Sequence, residues 1–170
     1  MLNGSLVVLR PPLDGDRRFL HGLRNDFALQ SQLMALPRAN SLQRIDEWLA
    51  RMSSDPACVF FLIAAKSDNE PLGYAQVARM DFIHGSGEFG ICLAENGRGG
   101  GRAAEALKLL EAYVGGVFNL RKLTLQVLVS NQRATRFYVK SGYALVGVLK
   151  QHFYHGRAYH DVAIYEKLLS

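Results

Sequence analysis

Residues 95–104 have the sequence ENGRGGGRAA, and this stretch decides how the rest of the chain is interpreted. A strand-like apolar run, 89–94, precedes it, and an amphipathic run to about residue 114 follows it. Glycines in such a turn let backbone N–H groups converge without Cβ clashes, and a helix start adds unpaired donors and positive dipole charge. Together with Arg98 and Arg102, the stretch predicts a site for the phosphates of a nucleotide-like ligand.

The composition is that of a globular protein. The chain has 170 residues, of which 49% are hydrophobic and 21% charged, values that suit a single domain over residues 1–170. It contains no apolar run long enough to span a membrane and no signal peptide, so no membrane partner is expected. Cys58 and Cys92 lie in apolar runs and are predicted to be buried thiols rather than a disulfide, which favours a cytoplasmic location.

The net charge of +5 favours an anionic ligand. The basic residues are scattered, with no block or known module, so no nucleic-acid partner is predicted. His152, His155 and His160 do not match a zinc spacing, so no metal is predicted either.

Hydrophobic periodicity predicts seven strands and four helices. Ser41 and Asn131 are suitable helix N-caps, and Gly142 suits a helix C-terminus. Hairpins mixed with crossover helices predict an α/β (α+β) fold with a mixed, mostly antiparallel sheet. The predicted strands are 6–9, 59–65, 72–78, 88–93, 123–127, 143–150 and 159–168, and the helices run from Asp14 or Asp16 to Leu23, then 41–52, 101–114 and 131–140.

Residues 95–104 can be compared with three known kinds of phosphate-binding loop. A Walker loop needs Gly-Lys-Ser/Thr, which the chain lacks. A dinucleotide-binding loop would follow the first strand of a parallel unit, whereas this one follows four strands. The third pattern, Arg/Gln-x-x-Gly-x-Gly/Ala, matches residues 98–103, and residues 131–143 match Asn-x-x-Ala-x-x-x-Tyr-x-x-x-Gly-Phe/Tyr. With both motifs in this order, the whole chain resembles the GNAT N-acetyltransferases.

This resemblance implies the GNAT fold, a seven-stranded sheet splayed between the fourth and fifth strands, and acetyl-CoA as cosubstrate without a metal. It also implies that an amine attacks the thioester directly in a ternary complex. The residues it assigns to acetyl-CoA are Ile91, Cys92, Leu93, Arg98, Gly99, Gly100, Gly101, Arg102, Ala103 and Asn131.

The resemblance also assigns catalytic roles. Tyr138 matches the family tyrosine that protonates the departing thiolate, and packing in the core is its alternative role. Several relatives carry a glutamate base on strand five, where this chain has Gln126, so Glu88 is predicted to replace it. His84 is a second candidate because the histidine side chain is a common general base. Cys92 has no neighbouring base in the sequence, which disfavours a nucleophilic role.

The acceptor is predicted from several short segments, which are residues 24–25, 41–42, 60–62, 84, 89–91, 137–140 and the tail 149–163. These segments resemble one subgroup, the nucleotide-amino-sugar N-acetyltransferases of the pseudaminic acid pathway. The subgroup implies a small-molecule amine, such as a UDP-4-amino-sugar, as the acceptor. Protein N-termini, drugs and polyamines stay open as acceptors. A non-catalytic acyl-CoA-binding regulator also stays open, although it would not need Tyr138. A homodimer through the C-terminal strands is expected by analogy. The predicted substrate-binding residues are Arg24, Asn25, Arg79 and His84.

Overall fold

The computed structural model describes residues 1–169, which form an eight-stranded sheet and five α-helices. The strands are β1 (Leu2–Asn3), β2 (Val7–Arg10), β3 (Val59–Ala65), β4 (Pro71–Asp81), β5 (Ser86–Leu93), β6 (Lys122–Leu128), β7 (Ala144–His155) and β8 (Ala158–Leu168). The helices are α1 (Arg17–Asn25), α2 (Phe27–Gln32), α3 (Leu42–Ser54), α4 (Arg102–Phe118) and α5 (Gln132–Lys140). The strand order is β1-β2-β3-β4-β5-β6-β8-β7, and the β5–β6 pair is parallel while the others are antiparallel.

The predicted class and element order are confirmed, with two additions. The eighth strand is the two-residue β1, which pairs with β2 and is too short to show a pattern in the sequence. The fifth helix, α2, spans only six residues, less than two turns, so it shows no clear periodicity. Asp26 ends α1 and also caps the start of α2, where its carboxylate accepts a hydrogen bond from the amide of Leu29 at 2.9 Å.

Two of the predicted N-caps are confirmed, whereas Asp16, which was a candidate cap for the first predicted helix, does not act as one. Ser41 Oγ accepts from the amide of Arg44 at 3.2 Å, and Asn131 Oδ1 accepts from the amide of Ala134 at 3.2 Å. Asp16 precedes α1 but makes no capping bond to it. Its buried carboxylate instead binds the guanidinium of Arg10 at 2.6 Å, because burial leaves each charge in need of a partner.

Helices cover both faces of the sheet. On one face, α4 and α5 pack against the larger core cluster, which includes Leu107, Leu110 and Tyr138. On the other face, α1, α2 and α3 form a second cluster with inward-facing residues of β3, β4 and β5, including Trp48 and Cys92. Among residues 1–169, no helix is both long enough and apolar enough to cross a membrane.

β5 and β6 separate after a short pairing. Their parallel ladder covers Ser86–Glu88 of β5 and Lys122–Thr124 of β6. Beyond Glu88, β5 stays paired with β4 up to Leu93, and beyond Thr124, β6 stays paired with β8 up to Leu128. The predicted splay between the fourth and fifth predicted strands is therefore confirmed, and it falls between β5 and β6 in the observed count.

The start of α4 is tied to the N-terminal segment through one carboxylate. Glu105 accepts hydrogen bonds from the backbone amides of Ser5, Leu6 and Val7 at 2.7–2.8 Å, and from the Ser5 hydroxyl. Burial by itself would raise the pKa of Glu105, but these donors outweigh it and lower that pKa from 4.5 to about 2. A Cβ on Gly4 would lie 2.3 Å from a Glu105 oxygen, so glycine is required at that position.

We predict that Glu105→Gln lowers the free energy of unfolding by about 1–2 kcal/mol near neutral pH. This figure is reduced for screening of the carboxylate by solvent. Because the folded-state pKa lies below the unfolded value, this stabilisation is present above about pH 4.5 and is lost as the pH falls towards 2. Thermal unfolding of both proteins at pH 7 and pH 3 measures it. Glu95→Gln, in the exposed turn before the glycine loop, is the control, and an equal loss in the two variants would contradict the role of Glu105.

Candidate active site

A cavity of about 1080 Å³ opens where β5 and β6 separate. Its wall is built by the glycine loop, the starts of α4 and α5, the edge of β5, and the α1–α3 side of the sheet. Most of the predicted site residues lie on this wall, although they come from segments that are far apart in the sequence.

The glycine loop presents a set of unused backbone donors. Gly99, Gly100 and Gly101 have φ angles of +87°, +59° and +80°, a region that favours glycine. Among residues 1–169, no acceptor pairs with the amides of these three glycines or with those of Ala103 and Ala104 in the first turn of α4. Convergent N–H groups at the positive end of a 17-residue helix form a site for an anion such as a pyrophosphate.

The two arginines of the loop have different positions. Arg98 lies on the cavity wall, where its Nε donates to the carbonyl of Leu93 at 3.2 Å. The guanidinium of Arg102 donates to the carbonyl of Asn96 at 3.0 Å, and Arg102 is not among the wall residues. Arg98 can therefore face a ligand, whereas Arg102 closes the turn.

The edge of β5 forms one side of the gap. Ile91 and Leu93 are half-buried and pack towards α4, whereas Cys92 points to the opposite face of the sheet. The Cys92 side chain is 2% exposed, and burial raises the pKa of its thiol to about 12. A thiol in this setting stays protonated near neutral pH, which does not suit a nucleophile.

Tyr138 lies on α5 and reaches the cavity from the β6 side. Its ring is 7% exposed and packs against Phe89 and Tyr143, with centroids 6.3 Å and 5.8 Å away. Its hydroxyl makes no hydrogen bond to any other residue of 1–169. Burial raises the pKa of Tyr138 to about 12, so the phenol keeps its proton over the physiological range. Asn131, the cap of α5, lines the same cavity.

Glu88 lies where the two strands begin to separate, and it is joined to Arg79. The Arg79 guanidinium contacts a Glu88 carboxylate oxygen at 2.6 Å, and both residues line the cavity. Arg79 has a φ of +51° within an irregularity of the β4–β5 ladder, which redirects its side chain. Gln126 lies across the gap on β6 and also lines the wall.

In the other half of the cavity, Arg24, a predicted substrate-binding residue, lies beside two aromatic residues that were not predicted. The Arg24 guanidinium stacks over the ring of Trp48 at 4.5 Å, and Trp48 packs edge-on against Tyr74 at 5.4 Å. Trp48 shows in the sequence only as an apolar position on a helix face, and Tyr74 only as a strand residue. The segment from Leu29 to Ala35, which follows α1, completes this side of the wall.

Two of the predicted substrate-binding residues are not on the wall. The Asn25 amide bridges to His21 and Asn40 at 2.8–3.1 Å and so fixes the segment after α2. His84 lies in the β4–β5 turn with its side chain 74% exposed, 4.0 Å from Asp81. The geometry gives Asn25 a structural role and places His84 in a surface turn, in contrast to the sequence prediction.

Among residues 1–169, no group of three or more histidine, cysteine or acidic side chains could hold a metal ion.

Known proteins resemble this chain in both sequence and structure. Residues 7–144 match the model of the acetyltransferase (GNAT) domain. A spermidine N(1)-acetyltransferase of Vibrio cholerae is 29% identical over 158 residues, which cover 93% of this chain and 90% of the relative.

Solved structures agree with this match. A crystal structure of spermidine N-acetyltransferase from Vibrio cholerae in complex with CoA and spermine has a TM-score of 0.90 and 28% identity, covering 98% of this chain and 97% of that one. A dodecameric structure of the same enzyme in an intermediate state has a TM-score of 0.83 and 28% identity, covering 98% and 96%.

These relatives are named for spermidine, so they do not support the predicted likeness to the nucleotide-amino-sugar enzymes. The likeness over nearly the whole chain does agree with the predicted fold. The match over residues 7–144 shows that the chain belongs to the GNAT family of acetyltransferases.

Proposed function

We propose that the chain transfers the acetyl group of acetyl-CoA to the primary amine of a small molecule, by direct attack in a ternary complex. The observation that carries this proposal is the common cavity of three features: free loop amides, the unpaired edge of β5 and the Tyr138 hydroxyl. No sugar nucleotide is proposed as acceptor, because the relatives reported above are not named for one.

The residues present fit CoA. The free amides of residues 99–101, 103 and 104 and the Arg98 side chain can bind its pyrophosphate, and the gap beside Ile91 and Leu93 can admit its pantetheine arm. When bound, acetyl-CoA supplies the activated acetyl thioester. Backbone N–H groups on the free edge of β5 would polarise the thioester carbonyl, as donors in an oxyanion hole do.

In this reaction the amine nitrogen bonds to the acetyl carbon while the carbon–sulfur bond breaks. Tyr138 donates its phenolic proton to the departing sulfur, a role that suits a group still protonated at neutral pH. The proton that the nitrogen loses as the amide forms restores the phenol. Its lack of a hydrogen-bond acceptor among residues 1–169 leaves that proton available for the sulfur.

Glu88 is our candidate for the group that accepts a proton from the acceptor ammonium, through a water molecule. One of its carboxylate oxygens is held by Arg79, and its side chain is 35% exposed at the cavity. Gln126, across the gap, cannot accept a proton in this way.

Two other readings of the site remain as predictions. Acetylation of a protein N-terminus would need the peptide to enter the Arg24 side of the cavity. A non-catalytic acyl-CoA-binding regulator would not require a buried phenol beside the gap. Association of copies through the C-terminal strands also stays a prediction. It is supported by β7, which forms the edge of the sheet and exposes Leu145, Val146 and Tyr154.

We predict that Gly101→Val raises the dissociation constant of acetyl-CoA by about 10- to 100-fold. A β-branched residue cannot adopt a φ of +80° without strain, so the loop amides would lose their convergence. Calorimetric titration measures the constant. Gly116→Ala, within α4 and with open space around the added Cβ, is the matched control. Unchanged affinity in a folded Gly101→Val variant would contradict the site.

We predict that Tyr138→Phe lowers kcat by about 100-fold or more, with little change in acetyl-CoA affinity. Since the pKa of Tyr138 is about 12, the wild-type rate should show no loss from its deprotonation below about pH 11. Thiol release measures kcat, and calorimetric titration measures the affinity for acetyl-CoA. Tyr113→Phe, which lies outside the cavity, is the control, and an unaltered kcat would remove Tyr138 from the mechanism.

We predict that Glu88→Gln lowers kcat/KM by about 10-fold or more at neutral pH and alters the acid side of the pH–rate profile. Arg79→Gln removes the ion pair but keeps the carboxylate, so it should retain the shape of the wild-type profile. If the pH–rate profiles of Glu88→Gln and wild type coincide once each is scaled to its maximum, Glu88 is not the proton acceptor.

A further inference from the structure

The charges on the cavity wall are strongly unequal. Seven basic side chains line the cavity, and among residues 1–169 the acidic side chains on its wall are Glu88 and Glu111. Both carboxylates already have partners, because Arg79 contacts Glu88 at 2.6 Å and Lys167 contacts Glu111 at 2.6 Å. After these pairings, the described wall has cationic groups without partners but no free carboxylate.

Four of the remaining cations lie on the half of the wall that faces the proposed phosphates of CoA. Arg98 belongs to the glycine loop and Lys108 to α4, while Arg133 and Lys140 belong to α5. These groups can be neutralised by the cosubstrate, so they say nothing about the acceptor.

Arg24 is different, because it lies on the opposite side, at the end of α1. Its guanidinium stacks on Trp48 and lies next to Tyr74, the cross-strand neighbour of Cys92. No carboxylate among residues 1–169 forms an ion pair with Arg24, and its buried Nε has no hydrogen-bond partner. Asp26, two residues further on, uses its carboxylate to cap α2 and is not on the wall.

This arrangement is unfavourable for a polycation. A polyamine places a second ammonium group in the acceptor half, where it would meet Arg24 and find no free carboxylate. A carboxylate or phosphate on the acceptor would instead pair with the guanidinium, whose planar fork suits either group. Stacking on Trp48 already holds the guanidinium plane, which reduces the entropy lost on binding.

We infer that the acceptor of this chain is an amine that also carries an anionic group, and that Arg24 recognises that group. This inference rests on the proposed function and names its substrate class. It distinguishes the chain from the solved relative that is in complex with spermine, a polycation.

The test uses amines matched in skeleton but different in charge. The carboxylate arm compares γ-aminobutyrate with butylamine and putrescine, and the phosphate arm compares O-phosphoethanolamine with ethanolamine. Spermidine completes the panel. Thiol release with saturating acetyl-CoA gives kcat/KM for each amine in wild type, Arg24→Gln, Arg24→Lys and the control Arg51→Gln, an exposed arginine outside the cavity.

We expect at least one anionic amine to exceed its neutral and cationic counterparts by 10-fold or more. Arg24→Gln should lower that preference by about 10- to 100-fold, mainly through KM, and Arg24→Lys should restore part of it. Arg51→Gln should behave as wild type. A preference in the carboxylate arm identifies a carboxylate as the group that Arg24 binds, and a preference in the phosphate arm identifies a phosphate.

Three outcomes would overturn the inference. Faster acetylation of putrescine or spermidine than of any anionic amine would contradict it while leaving the proposed function intact. An anion preference that Arg24→Gln does not change would also contradict it. If no amine in the panel is acetylated, both the proposed function and the inference are contradicted.

Discussion

The structure depends on the point where β5 and β6 part. Three residues of each strand pair in parallel, and then each strand continues with a different neighbour. An unpaired strand edge inside a sheet would normally be closed by another strand, because its N–H and C=O groups need partners. Here the opening leaves those groups available to a ligand. It also brings the loop after β5 and the helix after β6 to opposite sides of one cavity.

Packing on both faces stabilises this open arrangement. The larger core cluster under α4 and α5 places Tyr138 among aromatic rings, so its position does not depend on a hydrogen bond. The second cluster, under α1 to α3, positions Trp48 and hence Arg24. Glu105 joins the N-terminal segment to the first turn of α4, the same turn that presents free amides to the cavity. The α4–α5 side and the α1–α3 side of the cavity are thus supported by separate sets of contacts.

Much of this could be predicted from the sequence, because the informative signals are local. Glycines with positive φ at residues 99–101, the Asn131 cap and the apolar runs of the central strands depend on short-range patterns. The two motifs in order then indicated the family, the cosubstrate and the place of the splay. Helix α2 and strand β1 were missed because they are too short to carry a periodic signal.

The acceptor side was harder to predict, because its geometry depends on contacts distant in sequence. Asn25 follows Arg24 directly, yet it fixes a loop rather than facing the cavity. The pairing of Arg79 with Glu88 follows from a ladder irregularity that no local pattern reveals. The charge balance of the wall emerges only when residues from six elements are placed together. The sequence therefore indicated the reaction better than the substrate.

The central claim is that the gap between β5 and β6 is the binding site for the arm of acetyl-CoA. A crystal structure of the chain with CoA tests this most directly. The account predicts the pyrophosphate on the free amides of residues 99–101, 103 and 104, the pantetheine arm along the edge of β5, and the thiol sulfur within hydrogen-bonding reach of Tyr138 Oη. Ordered CoA bound elsewhere, with the gap closed by protein side chains, would contradict it.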